Sequence, residues 1–402
     1  MKTGLLKHQS SDFEQGLAAE FLLAAACCRR PVSPARDAAL RAAAAQVRDW
    51  VGFLRQVERH RIVDVVHDAL PAAGPAVPAD IVAKLSVRNM AATQYHRLLL
   101  EDLSSLKRAF DAAGIAFLVL KGAPLAQIAY GSAIGKQTRD IDLLVAPDDA
   151  KAAFDVLKSQ GYAALPPAVG ISEAQFDALL RYGREIEARR PGGRLVDLQW
   201  RAAENPTLLD GIDVRSPAQE VELRDGLVVR TLAADDLFAY LCVHGAYHRW
   251  SRLKWLADLN AMMAATAADV SRLYRHAQKI GAGLCAGQAL LLSHRLFDLP
   301  LPAAVAAELE ANQRVLRLVN IARDAMAEPL VANKPLHAVS GGLYTQFLLG
   351  RGWRFFAAQC RAVSVGMLDV MTLPLPAWLH WLYPALRPPL WLWRRASARL
   401  RR

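Results

Sequence analysis

An α+β fold is predicted for this chain, with a mixed β-sheet core set between two helical regions. Three observations carry the prediction: Ala- and Leu-rich sequence at helical spacing from Asp12 to Asp111, short apolar or alternating runs between Ile115 and Leu232, and helical spacing again from Ala233. With 402 residues, 53% hydrophobic and 22% charged, the chain can bury a large core, and its composition is neither disordered nor fibrous. The expected divisions are a helical region over 1–112, an α/β core over 113–232, a helical domain over 233–370 and a Trp-, Pro- and Arg-rich tail over 371–402.

In the first region only Pro31, Pro34 and the stretch from Pro71 to Pro78 break the helical pattern, and Asn89–Gly114 reads as one amphipathic helix. Leu98, Leu99, Leu103, Leu106 and Phe110 share a face of it, and Gly114 is its C-terminal cap. Ile115–Leu120 is an apolar run of buried-strand type; Lys121-Gly122 follows, and helical spacing resumes from Gly122 to Tyr130. Asp140–Val145 is a second strand and Pro147–Gly161 a helix ending on glycine. Arg184–Arg189 and Gly193–Trp200 are two further strands, joined by the turn Pro191-Gly192-Gly193. Glu220–Leu232, with Asp225-Gly226 between alternating flanks, is a hairpin.

The net charge is +11, but Arg387–Arg402 holds six arginines and no acid, so the rest of the chain carries too small an excess for a nucleic-acid-coating surface. Five scattered cysteines form no C-x-x-C pair, which fits reduced thiols in a cytoplasmic protein. The first residues show no apolar signal-peptide core, and the nearest approach to a membrane span, Met371–Trp393, is interrupted by Arg387 and five prolines. In the tail, Trp378, Trp381, Tyr383, Trp391 and Trp393 precede Arg394, Arg395, Arg399, Arg401 and Arg402. Two readings stand for 378–402: peripheral contact with the inner membrane, or a packed segment with a frayed basic end.

Asp140 and Asp142 are two apart on a strand, so both carboxylates face one way. Asp197 is a third acid inside an apolar strand. Like charges placed together repel unless a cation lies between them, and hard divalent ions such as Mg²⁺ take oxygen ligands of this kind. Three strand carboxylates are enough for two Mg²⁺ ions, an arrangement suited to phosphoryl or nucleotidyl transfer. Lys121-Gly122 ends a strand and opens a helix, where backbone N–H groups suit a phosphate, and Arg139 offers a planar donor fork; each also has a plain reading as a surface charge.

Leu120-Lys-Gly-Ala-Pro-Leu-Ala with Tyr130, Arg139-Asp-Ile-Asp-Leu-Leu-Val145, Gly161-Tyr162, Val196-Asp-Leu-Gln-Trp-Arg201 and the stretch Leu241–Leu259 resemble the uncharacterised bacterial nucleotidyltransferase family of the DNA polymerase beta-like superfamily. The motifs span about 102–263. The resemblance implies a nucleotidyltransferase fold, Mg²⁺, and a nucleoside triphosphate, ATP foremost, that gives NMP to an unidentified small-molecule or protein acceptor with release of pyrophosphate. It also implies that Asp140 and Asp142 bind both metals, and that Asp197 joins one of them and assists in deprotonating the acceptor hydroxyl. Two positions depart from the pattern: Lys121-Gly122-Ala123 stands where Gly-Ser is usual, and Gln199 where a histidine is frequent. The missing serine leaves a second possibility, an inactive nucleotide-binding or scaffold protein held at a membrane by its tail. His244, Lys254 and Asp258 either face the metal site and touch nucleotide or acceptor, or make core hydrogen bonds. His244 and His248 lack the further ligand a zinc site needs, and Trp250 and Trp255 read as core.

Overall fold

The computed structural model describes residues 13–328 and 336–400. The first twelve residues and the expected tail residues Arg401 and Arg402 lie outside the described residues, as does the side chain of Arg399. The architecture is α+β, with a five-stranded mixed sheet and helices on either side of it in sequence.

The first part of the chain folds as helices α1 (Ala19–Cys27), α2 (Pro34–Ala44), α3 (Trp50–His60), α4 (Val63–Ala69) and the long α5 (Ala79–Ala112). The last of these begins at Ala79, directly after Pro78, rather than at Asn89. It buries Leu99, Leu103, Leu106 and Phe110 and leaves Leu98 half-buried. Its end shortens the next strand. Gly114 adopts φ +68° and the Ile115 N–H donates back to the Phe110 carbonyl, so the cap takes the opening of the run read as a strand. Strand β1 is therefore Phe117–Val119.

The sheet is completed by β2 (Asp140–Val145), β3 (Ala163–Ala164), β4 (Glu185–Arg189) and β5 (Leu195–Gln199), in the order β1-β2-β5-β4-β3. Only the central β2–β5 pair is parallel; the others are antiparallel. Between them lie α6 (Ala123–Tyr130), α7 (Ala150–Ser159) and α8 (Glu173–Tyr182). The last of these and β3 are absent from the sequence reading. The α8 start is a capping box, Ser172 with Gln175, a signal that is local in the sequence. The hairpin forms as expected, β6 (Ala218–Glu222) with β7 (Val228–Leu232), but makes a separate two-stranded sheet.

Alternation along the strands gives the sheet two faces. Phe117, Val119, Ile141, Leu143, Val145, Val196 and Leu198 join an apolar cluster with Phe110 of α5 and Leu157 of α7. Leu118, Leu120 and Leu144 belong to a second cluster on the opposite side. That second cluster is the helical body: α9 (Ala234–Tyr247), α10 (Leu253–Ala265), α11 (Val270–Lys279), α12 (Gly283–Phe297), α13 (Ala303–Ala311) and α14 (Gln313–Ala327) pack there. Phe21 and Phe53 of the N-terminal helices share this core with Phe238, Trp250, Leu291 and Leu318. The two helical regions, separate in sequence, thus bury their apolar faces in one place.

The chain continues as α15 (Leu336–Leu348), α16 (Gly352–Ser364), α17 (Met367–Thr372) and α18 (Tyr383–Leu400). The tail packs through Tyr383, which is fully buried and donates its hydroxyl to the Leu373 carbonyl. Buried Asp369 pairs with Arg394 at 2.6 Å and with Arg387 at 3.7 Å. Trp353, Trp378 and Trp381 are 78%, 74% and 72% exposed, and Trp393 is exposed beside them in sequence. No helix among the described residues is long and apolar enough to cross a membrane.

Candidate active site

The parallel β2–β5 pair sets the site. Asp142 lies directly opposite Asp197, and Asp140 shares their face two residues earlier. One oxygen from each carboxylate comes within 4.8 Å of the others. Three acids therefore meet on the sheet face turned toward the helical body. Backbone pairing also fixes their neighbour Lys121, because the Leu120 N–H donates to the Asp142 carbonyl at 3.1 Å. Gly122 follows at φ +75° and ψ −127°, a conformation a side chain strains to reach, and α6 starts at the next residue.

Asp142 is the most enclosed of the three, 1% exposed at its side chain. Its Oδ2 accepts from the Lys121 Nζ at 2.6 Å and its Oδ1 from the Gln199 Nε2 at 3.0 Å. The Gln199 Oε1 in turn accepts from Arg184 at 3.2 Å, which fixes the amide's orientation. Arg184 itself pairs with Glu185 and Glu204 at 2.6 and 3.4 Å. Lys121 also lies 3.8 Å from the Asp140 carboxylate.

The charges divide the trio. Burial and the nearby Asp142 and Asp140 carboxylates raise the Asp197 pKa above the usual carboxylate range. Burial likewise raises Asp142, with Lys121 opposing it. For Asp140, burial is outweighed by Lys121, Lys254, Arg61 and Lys136, and its pKa falls. Burial alone would lower Lys121, but Asp140 and Asp142 hold it well above the ordinary lysine value. Without a bound cation the cup is over-supplied with negative charge.

Several residues expected to touch ligand serve the loop that carries Asp140. Asp258 does not reach the acidic trio: its oxygens take Lys136 at 2.7 Å and the Tyr130 hydroxyl at 3.0 Å, in a buried cluster. Lys254 donates to the Gln137 carbonyl at 3.1 Å, and burial followed by Lys136 lowers its pKa to about 7. His96 of α5 accepts from the Thr138 N–H at 3.0 Å, and Tyr95 donates to the Arg139 carbonyl at 2.9 Å. The Arg139 side chain is exposed. His244 stacks on Tyr240 and meets His248 and Trp255 edge-to-face. Burial, with Lys121 adding to it, holds His244 well below the ordinary imidazole range. Trp250 is core as read, whereas Trp255 is half-buried and stacks on His248.

A family model described as uncharacterised nucleotidyltransferase matches residues 46–298. The chain belongs to that family. Comparison with curated proteins finds no match. Membership makes the protein a nucleotidyltransferase-family transferase and implies a nucleotide substrate and, as usual there, a divalent metal. Three carboxylates with oxygens this close suit a hard divalent cation.

The matched range takes in two cations that sequence reasoning missed. Arg61, the left-handed residue that closes α3, and Arg252, before α10, act electrostatically on each other, and Asp140 and Arg139 act on both. Arg61 has no local signal, because only the tertiary fold brings the end of α3 to the sheet. Arg252 lies within the Leu241–Leu259 stretch that carried the resemblance and could have been found there.

Proposed function

We propose that the protein is a Mg²⁺-dependent nucleotidyltransferase that moves NMP from ATP, or another nucleoside triphosphate, to a hydroxyl or phosphate on a small molecule or protein and releases pyrophosphate. The observation that carries this reading is the convergence of Asp140, Asp142 and Asp197 on one sheet face of a chain in this family. These carboxylates would hold Mg²⁺, which when bound neutralises charge on the transferring phosphoryl group. Arg61, Arg252 and the exposed Arg139 gather about Asp140, so the approach to the site carries charge suited to a triphosphate. Gln199 keeps Asp142 oriented. Asp197, which faces Asp142 across the strand pair, is the candidate acceptor of the acceptor hydroxyl's proton.

Release of pyrophosphate from nucleoside triphosphates, measured with Mg²⁺ across a panel of hydroxyl, phosphate and protein acceptors, is the test. Turnover with one acceptor class supports transfer. Nucleotide binding without pyrophosphate from any acceptor would favour the inactive, scaffolding alternative. Binding that weakens steeply with salt in the presence of RNA or DNA would instead point to a nucleic-acid acceptor.

Peripheral membrane contact is a second part of the proposal, favoured by a separate observation. Residues 343–402 hold nine arginines and one acid, Asp369, which is buried and paired, while Trp353, Trp378, Trp381 and Trp393 stay exposed. Exposed indole beside arginine suits the interface of an anionic bilayer. Sedimentation with phosphatidylglycerol vesicles but not phosphatidylcholine vesicles is the expected result, reduced in Trp378→Ser/Trp381→Ser. Equal partition with both, or with neither, removes this part.

A further inference from the structure

The ammonium of Lys121 stands inside the acidic cup, and it stands there by construction. Its backbone is tied to β2 through the Leu120–Asp142 hydrogen bond, its Nζ is 2.6 Å from Asp142 and 3.8 Å from Asp140, and its side chain is only 14% exposed. In a two-ion site a carboxylate between the metals gives one oxygen to each, with the ions about 3.5–4 Å apart. Each Asp142 oxygen already accepts from one donor, and the ammonium on Oδ2 also lies 3.8 Å from Asp140, in the place a second ion between these two acids would take. Oδ2 holds the ammonium, and Oδ1 holds the Gln199 amide, whose other end is locked by Arg184. A second ion between Asp140 and Asp142 would have to displace the Lys121 ammonium, which would leave a buried charge without its partners.

We infer that Lys121 is a built-in cation that replaces one metal ion, so that this site takes a single divalent ion, held by Asp140, Asp197 and a shared oxygen of Asp142. The formal charges agree: three carboxylates are balanced by one divalent ion and one ammonium. Lys121 is then a positioning and charge-balancing residue, and the inference rests on the metal-dependent reading proposed above.

Electron paramagnetic resonance of Mn²⁺ with the full chain, saturated with a non-hydrolysable nucleoside triphosphate analogue, separates the possibilities. A lone bound Mn²⁺ gives a six-line spectrum, whereas two ions about 4 Å apart are exchange-coupled. The expected spectrum is six-line for the wild-type chain and for Lys121→Arg, and coupled for Lys121→Met, in which the vacated seat admits a second ion. A coupled pair in the wild type, or a six-line spectrum in Lys121→Met, overturns the inference while leaving metal-dependent transfer standing. Absence of any protein-bound Mn²⁺ fails the underlying reading instead. Thermal melts by circular dichroism establish that each variant is folded, and Lys121→Gln repeats the measurement should Lys121→Met not fold.

Discussion

On one face of the sheet Phe117, Val119, Ile141, Leu143, Val145, Val196 and Leu198 pack against α5 and α7; on the other, Leu118 and Leu144 are interspersed with Asp140, Asp142, Asp197 and Gln199. Both faces come from the same strands and the same alternation. The first can only stabilise, since each buried apolar side chain contributes about 1.5–3 kcal/mol. The second concentrates like charges in a half-buried cup, where desolvation and mutual repulsion both oppose folding. Acids placed at such a cost fit the catalytic role proposed for that face.

The sharpest way to break this comparison is to treat both faces alike. Asp142→Asn should lower pyrophosphate release by at least about a thousandfold, the scale on which lost transition-state charge stabilisation registers. Its melting temperature in metal-free buffer should change little, because relief of the repulsion against Asp140 and Asp197 offsets the loss of one charged partner of Lys121, which keeps Asp140; a marked fall would show that Asp142 is structural. On the apolar face, Leu143→Ala should cost about 2–5 kcal/mol in urea unfolding. Whatever fraction stays folded should keep turnover within a few-fold of wild type, and a selective loss of activity would blur the division between the faces.

A buried acid outside the trio sharpens the point. Asp64 on α4 has its pKa raised by burial to about 7, and one of its oxygens has no hydrogen-bond partner. The folded chain therefore keeps this proton up to near neutrality, whereas the unfolded chain releases it near 3.9. Between those values unfolding releases a proton, so stability falls as pH rises toward 7 and the penalty is complete above it. Asp64→Asn should be more stable than wild type at pH 8, by on the order of 3 kcal/mol, with the gain vanishing near pH 4. Equal urea midpoints at pH 8 would mean that Asp64 is solvated or paired.

Much of the sheet was legible in the sequence because its information is local. An apolar run interrupted at i and i+2 by acids announces both the strand and the shared face of Asp140 and Asp142, and Asp197 stands out for the same reason. The in-register parallel pairing that brings Asp197 beside Asp142 depends on a crossover and has no local trace. Nor does the convergence of N- and C-terminal helices on one core. Charged residues near the site were visible as charges but not as partners. For Lys254 and Asp258 ligand contact and core hydrogen bonding both stood open, and only the fold supplies their partners Gln137, Lys136 and Tyr130 around the loop before Asp140. The part Gln199 plays was partly legible, since replacing a titrating ring with an amide leaves hydrogen bonding, and it bonds to Asp142.

Anomalous diffraction from crystals of the full chain soaked in Mn²⁺ tests the central claim most directly. The expected result is a peak about 2 Å from oxygens of Asp140, Asp142 and Asp197 together, lost in Asp197→Asn crystals. A peak that leaves any of the three unligated, or none on that face at saturating Mn²⁺, would contradict it.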